Sequence, residues 1–374
     1  MMIDWLTVSQ EHKDDVPIVS KVFTITIDAE TGDSLGVKQP WLKYEGSYST
    51  SIKISVSGNK VRVDGNPSRV NRLDNLFGHT TIDQCIHVYN AILRKFGLPE
   101  FTKCTQVQLL QSGDGCKYLA DGAVIERIDL TTNMTVGEGN VLAYLRALST
   151  QRIGHSVGYL YPNGRTVDWA ANGKRKGGMR LQYRKAYDKA FELAEHLLPK
   201  VLRTYGEESD EYQYVWKLHQ YCNQHGVVRM EQGLKAEFLS RENLKFWGLF
   251  DEKRLKEIHE EFLKTDEKLK VTKMDLMTIS GQLVAEGIVE STRSAMTTAM
   301  YAIQWSSGHS FDLEKAQVKV HRARLRKIGI DIANTCDTSR FTPVIVRSAK
   351  EITKSFDLVM PDWYRKPNHL RAVA

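Results

Sequence analysis

Val227-Val-Arg-Met-Glu-Gln-Gly-Leu234 is the stretch on which the reading of the whole chain turns. It reads as a strand, and as the last one. From about residue 235 strand signals fade and helical periodicity takes over, most clearly over residues 295–305 and 313–328. Before it, short alternating runs share the chain with helices. Residues 23–27, 51–56, 61–63, 106–110, 123–130, 165–169 and 179–187 carry strand patterns, with Ser57-Gly-Asn59 as a hairpin turn. Residues 80–96, 141–148, 189–196 and 208–225 carry helical ones. With 374 residues the chain exceeds one ordinary core. The expected class is α+β: a domain over residues 1–235, strand-rich in 1–118 with its chemistry in 119–235, then a mostly helical domain over 236–374.

Within Val227–Leu234, Arg229 and Glu231 stand two apart, and Arg127 and Asp129 do the same in the run Ala123-Val-Ile-Glu-Arg-Ile-Asp-Leu130. Residues two apart in a strand share a face, so each strand presents an arginine and a carboxylate on one side. If the strands are close, Asp129 and Glu231 converge, and a divalent cation would relieve their repulsion. Two Arg–carboxylate salt bridges on a solvated sheet face would leave the same pattern. A third run, Tyr183-Arg-Lys-Ala-Tyr-Asp-Lys189, places Tyr187 and Lys189 at a strand-to-helix junction. A tyrosine near positive charge and a bound cation can attack a phosphodiester; a tyrosine packed on a core edge beside a surface lysine is the plainer alternative. Met179, Leu181 and Tyr183 alternate as an apolar face, which predicts Tyr183 in the core and Tyr187 free to reach the active face.

Other chemistries are poorly served. There is no His-x-His and no G-x-x-x-x-G-K-[ST] phosphate loop, so helicase work would need a partner. The five cysteines form no C-x-x-C pair, and their wide spacing fits reduced thiols. The N-terminal sequence lacks the pattern of a signal peptide and no run approaches a membrane span, so a cytosolic protein is expected. A net charge of +7 favours polyanionic partners. Two basic runs stand out: Lys174, Arg175, Lys176 and Arg180 in a glycine-rich stretch, and Arg322, Arg324, Arg326 and Lys327 on a predicted helix. Either could equally be a solvated face.

At these residues the chain resembles the replication initiators of filamentous phages: the RstA-type proteins of Vibrio phages, their Pf-type counterparts and, more distantly, the gene II proteins of coliphages. The first resemblance runs through Ile3-Asp-Trp-Leu6, Glu45-Gly-Ser-Tyr-Ser-Thr-Ser51, Gly65-Asn-Pro-Ser-Arg69, Arg72-Leu-Asp-Asn-Leu-Phe-Gly78 and Thr166-Val-Asp-Trp169. The second rests on Arg127-Ile-Asp129, the string from Ala186 to Glu192, Val228-Arg-x-Glu231 and Pro361-Asp-Trp-Tyr364. Plasmid initiators of the Rep_trans type share the core pattern. The resemblance implies a fold related to the HUH endonucleases, with an antiparallel sheet flanked by helices. It implies nicking and rejoining of one strand at a phage origin through a 5′-phosphotyrosine, which starts rolling-circle replication in the bacterial host cytoplasm. By position, Tyr187 matches the nucleophile, Lys189 its adjacent lysine, and Asp129 and Glu231 the metal-site acids for Mg²⁺ or Mn²⁺. The paired histidines of the classical signature are missing, so the metal site is carboxylate-rich or completed by a residue such as His155 or Gln182. The implied partners are single-stranded and duplex origin DNA, a host helicase and polymerase, and further copies of the chain on DNA, with no membrane. The two basic runs would then hold the scissile strand and the flanking duplex. The competing reading is a non-catalytic origin-binding or regulatory protein on the same fold; a recombinase is disfavoured by the absence of an arginine-histidine-arginine-tyrosine series.

Overall fold

The computed structural model describes residues 1–17, 19, 22–38, 40–45, 51–112, 115–154, 156–171, 181–265, 276–306, 308–333 and 356–366. Strand β1 (Met2–Glu11) is followed by a separate two-stranded ribbon, β2 (Thr24–Ile27) and β3 (Ser34–Lys38), and then by β4 (Leu42–Glu45), β5 (Ser51–Ser57) and β6 (Lys60–Gly65). Helix α1 (Ile82–Lys95) leads to a second ribbon, β7 (Val107–Ser112) and β8 (Gly115–Ala120), and to the long strand β9 (Val124–Thr135). Helix α2 (Val141–Ser149) precedes β10 (Arg152–Ile153), β11 (Ser156–Leu160), β12 (Thr166–Ala171) and β13 (Gln182–Asp188). The chain then winds through α3 (Lys189–Glu192), a turn of π-helix, α4 (Leu198–Tyr205) and α5 (Asp210–His225), and re-enters the sheet as β14 (Val227–Lys235). It continues through α6 (Ala236–Arg241), α7 (Lys253–Leu263), α8 (Leu276–Ala285), α9 (Thr292–Ser306), α10 (Ala316–Lys327) and β15 (Phe356–Asp357).

Eleven strands make one sheet in the order β10-β11-β12-β13-β14-β9-β1-β6-β5-β4, with β15 pairing β9 beside the main path. The pairings among the described residues are antiparallel, including the central trio β13–β14–β9. The expected α+β class with an antiparallel sheet and flanking helices is what the chain adopts. Alternation divides the sheet into two faces. One face is apolar. Leu6, Val8, Ile54, Val63 and Ile128 pack on Ile86, Tyr89 and Leu93 of α1, and Val167, Trp169, Ala186 and Met230 pack on Tyr144, Leu145 and Leu148 of α2. The opposite face is polar and is capped at one end only, by the apolar cluster of α3–α5 around Val227.

Two expectations about organisation need correction. The strand-bearing unit does not stop at residue 235. Leu239, Leu244, Leu255 and Ile258 belong to the core of β1, β6 and α1, and Phe262 packs against Trp169. On α7 the buried residues Leu255, Ile258, His259 and Phe262 recur at helical spacing, so this helix lays its apolar stripe on the sheet. Nor do residues 236–374 form one helical body. Helices α8–α10 share a core of their own around Ile279, Leu283, Ala299, Trp305 and Leu325. Residues 356–366 return to the sheet: β15 pairs β9, and Leu358 and Tyr364 join the cluster of α3–α5.

A buried polar knot pins α7 to the apolar face. His259 Nε2 lies 3.0 Å from Thr132 Oγ1, and its Nδ1 lies 3.2 Å from Gln232 Oε1. Burial pushes the imidazole from 6.5 down to about 3. A base whose folded pKa is depressed gives stability that is present above the unfolded pKa and lost as pH falls below it. Between pH 6.5 and pH 5 the native protein should therefore lose roughly 1.5–2 kcal/mol relative to a His259→Gln variant. Urea unfolding of both at the two pH values reads this directly; parallel losses would show that His259 titrates normally.

Candidate active site

The polar face gathers its chemistry through strand register. On β13 and β14, Tyr183 pairs with Gly233, Lys185 with Glu231 and Tyr187 with Arg229. On β14 and β9, Glu231 pairs with Thr131 and Gly233 with Asp129. Direct cross-strand partners share a face, so Tyr183, Lys185, Tyr187, Arg229, Glu231 and Asp129 all lie on the same side. Gly233 makes their convergence possible: a Cβ there would sit 1.9 Å from Cε1 of Tyr183. With only hydrogen at position 233, the Tyr183 ring lies across β14 and brings its hydroxyl to both acids.

That hydroxyl is the hub. It donates to Asp129 Oδ2 at 2.5 Å and lies 3.0 Å from Glu231 Oε1. Arg127 holds Asp129 in a two-pronged grip, Nε to Oδ1 at 2.9 Å and Nη2 to Oδ2 at 2.6 Å, and also donates to the Tyr183 hydroxyl at 3.1 Å. Lys185 Nζ lies 3.0 Å from Glu231 Oε1, and the Tyr187 hydroxyl donates to Glu231 Oε2 at 3.4 Å. Asp129 and Glu231 are buried at the floor of this cluster. Burial pushes the Asp129 carboxyl up to about 6 despite the pull of Arg127. Burial also raises the Tyr183 phenol, and the charges of Asp129 and Glu231 raise it further. Tyr187 is raised by burial too, but the Arg229 guanidinium beside it pulls the other way.

The placement of Tyr183 corrects the expectation that it points into the core. Positions 183 and 187 differ by an even number within one strand, so they share a face; the inward set of β13 includes the buried Ala186. Lys189 is also placed differently from expectation. It is buried, with Nζ 2.5 Å from Glu192 Oε2 and 3.4 Å from Asn75 Oδ1. Burial lowers its pKa. The lysine against the Tyr187 ring is Lys185, with Nζ 5.2 Å from the centroid. Arg229 is fully buried: Nε donates to Asn133 Oδ1 at 2.9 Å, Nη2 donates to the Asn75 carbonyl at 2.6 Å, and Nη1 lies 3.9 Å from Asp4 Oδ1. Asp4, at an irregularity of β1 between Ile3 and Trp5, also accepts from Asn66 and Asn75. Asp4, Asn75 and Lys185 were not singled out from the sequence. Asp4 falls inside the Ile3-Asp-Trp-Leu6 landmark, which is the one signal that could have found it.

The donor set suits a hard divalent cation. Asp129 and Glu231 supply carboxylate oxygens, and Thr131, on the strand of Asp129 and directly opposite Glu231, has a buried Oγ1 without a hydrogen-bond partner. Among the described residues no cluster of three or more His, Cys, Asp or Glu is present. One or two carboxylates with waters and phosphate oxygens is the habit of Mg²⁺. Gln182 cannot complete such a site, since it faces the other side and accepts from Gln232 at 3.1 Å. His155 and the run Lys174, Arg175, Lys176 and Arg180 lie outside the described residues. On α10, Arg322 and Arg326 approach Asp331 at 2.7 and 3.9 Å, and Arg152 of β10 joins them at 3.0 Å. Arg324 donates to Ser294 Oγ at 3.0 Å, while Arg326 and Lys327 are exposed.

Among known protein families, residues 2–253 match the N-terminal family of the phage replication-associated protein known as the gene II protein, and residues 283–370 match its C-terminal family. A curated relative, the replication-associated gene II protein of Escherichia phage If1, is 48% identical over 322 residues, spanning 86% of this chain and 99% of the relative. No solved structure matches.

Proposed function

The chain belongs to the gene II family of replication-associated proteins of filamentous phages, and from that premise we propose that it initiates rolling-circle replication by nicking one strand of origin DNA with Tyr187. The observation that carries this reading is the gathering of Tyr187, Tyr183, Asp129 and Glu231 on one face, with both phenols within reach of Glu231. Asp129 and Glu231, with Thr131 opposite Glu231, would hold Mg²⁺ or Mn²⁺. Such an ion would polarise the phosphoryl oxygens and offset charge built up during attack. The rest falls to the chain's own side chains. Tyr187 Oη forms a bond to phosphorus, and the bond from phosphorus to the 3′ oxygen breaks. This leaves a 5′-phosphotyrosine and a free 3′-hydroxyl, and reversal joins the ends. The nearest acceptor for the Tyr187 proton is Glu231 Oε2. Arg229, the cross-strand neighbour of Tyr187, favours the phenolate from below. Tyr183 donates to Asp129 and orients the acid pair; Arg127 and Lys185, ion-paired to those acids, are placed to turn to the phosphate.

Incubating supercoiled origin plasmid with protein and Mg²⁺ or Mn²⁺ should yield open circles. Mass spectrometry of the trapped complex should find DNA on the peptide containing Tyr187. Intact supercoils and no adduct would leave a non-catalytic origin-binding protein. The buried Lys189 would act through its contacts with Glu192 and Asn75, which support this site, and not at the reacting phosphate.

Duplex DNA beside the nick would be held by α10. Arg322 and Arg324 are engaged within the protein, so the exposed Arg326 and Lys327 should carry most of the phosphate contact. Replacing both by alanine should flatten the dependence of log K on log salt by about 1.8, at roughly 0.9 per contact on duplex. Nicking of a short single-stranded oligonucleotide should survive. An unchanged slope would assign the helix to packing alone.

A further inference from the structure

Beyond β9 the polar face is exposed at its outer strands, β5 and β4, and carries a charge arrangement that folding alone disfavours. Strand register sets one straight row across five strands: Arg127 opposite Thr7, Thr7 opposite Asp64, Asp64 opposite Lys53, and Lys53 opposite Lys43. At the usual strand spacing the row is roughly 19 Å long. Lys43 and Lys53 are exposed, sit directly opposite one another, and have no ion-pair partner among the described residues. Like charges in that position weaken a sheet. Two of the acids nearby, Asp64 and Glu126, are already committed. Asp64 accepts from Trp5 Nε1 at 2.9 Å and Thr7 Oγ1 at 2.6 Å, and Glu126 pairs with Arg62 at 2.7 Å and accepts from Ser9 at 2.7 Å. Planar groups interleave with the cations. The Arg127 guanidinium lies 5.3 Å from the Trp5 ring centre and 5.7 Å from that of Tyr183, and Arg62 lies 5.2 Å from that of the partly exposed Trp41.

We propose that this row is the path of the unpaired DNA strand leading away from the scissile phosphate, with Lys43 and Lys53 on phosphates and Trp41 and Arg62 against base faces. The inference rests on the reading of Asp129, Glu231 and Tyr187 as the nicking site, since Arg127 and Tyr183 join the row to it. Cations tracking a backbone beside aromatic planes is how single strands are held without reading sequence. Paired bases, stacked on one another, offer Trp41 no free face, so the row should prefer single strands to duplex.

The test uses the full chain in EDTA, so that binding is measured apart from cleavage. Fluorescence anisotropy would follow a labelled oligothymidylate of about 16 nucleotides, within the size range of single-strand sites, and a duplex of equal length. Lys43→Ala with Lys53→Ala should weaken oligothymidylate binding about ten-fold and flatten its salt slope by about 1.4, at roughly 0.7 per contact. Trp41→Ala should weaken it by at least about five-fold with the slope unchanged. Duplex binding should stay within about two-fold in both. If Trp41→Ala misfolds, the lysine pair, exposed on the sheet surface, still decides. Unchanged oligothymidylate affinity and slope, or equal losses on oligothymidylate and duplex, would overturn the proposal. Failure here with normal adduct formation at Tyr187 removes the track and leaves the nicking site. Failure of the adduct with the expected binding losses does the reverse.

Discussion

Tyr187→Phe should abolish both nicking and the covalent DNA adduct, a loss of at least roughly a thousand-fold, because the attacking atom is gone while the ring's packing remains. Tyr183→Phe should behave differently although its hydroxyl lies closer to the acids. A phenol that donates to Asp129 at 2.5 Å while lying 3.0 Å from Glu231 is the less able of the two to become a phenolate. Tyr187 instead faces Arg229 across the strands and meets Glu231 only at 3.4 Å. Removing the Tyr183 hydroxyl takes a shared donor from two buried carboxylates. The rate should fall about 10–100-fold with the adduct still on Tyr187. Peptide mapping of the adduct decides: DNA on Tyr183, or an adduct that survives Tyr187→Phe, exchanges the two roles.

Asp129→Asn and Glu231→Gln should each reduce nicking by at least roughly a thousand-fold while origin binding changes little, since the variants lose an oxygen anion and keep every basic residue. Asp129 adds a second readout. Its folded pKa, about 6, lies above the ordinary 3.8, so the ionised form is disfavoured in the folded protein. For a carboxyl shifted upward, stability is fullest at low pH and is lost as pH rises from 3.8 through 6. At pH 8 in EDTA the buried charge weighs against folding by about 3 kcal/mol. Asparagine carries no such charge, so Asp129→Asn should melt no lower than the wild type while nicking fails. Full activity in either variant at low Mn²⁺ would remove these residues from the site. A lowered melting temperature for Asp129→Asn would make Asp129 a structural ion-pair partner of Arg127.

The parts of this fold that were legible in the sequence are those where one face of a strand is polar. β9, β13 and β14 alternate, and the two Arg-x-acid pairs mark the polar side of two of them. β1 alternates too, with Leu6 and Val8 in the core and Thr7 and Ser9 bonded to Asp64 and Glu126, but it carries no arginine–acid pair to mark its polar side. Tyr183 was misplaced because Met179 and Leu181 extend an apolar alternation backwards from a strand that begins only at Gln182. What lets its ring lie across β14 to the acids is the missing side chain of Gly233, on the neighbouring strand and far along the chain. The partners of Arg229, namely Asn75, Asn133 and Asp4, come from three distant stretches. Local pattern contains no information about such meetings. It suggested two matching arginine–acid pairs, whereas only Arg127 grips the acid two residues away.

The return of residues 356–366 to the sheet bears on when the protein becomes competent during its own synthesis. The Tyr364 hydroxyl donates to Asp74 at 2.6 Å across 290 residues of chain and accepts from the backbone of Phe77 at 3.0 Å. The loop so anchored carries Asn75, whose carbonyl and side chain meet Arg229 and Lys189 beneath Tyr187. A ribosome adding about 5–20 residues per second takes roughly 15–60 seconds to span that distance. From the completion of β14 at Lys235 to Tyr364, roughly the last 6–26 seconds of that interval, the strands bearing Tyr187, Asp129 and Glu231 are already made, while the brace behind them is not. A nascent chain still tethered to its ribosome therefore has the groups of the proposed nicking site before it has their support, which is complete only once Tyr364 has emerged.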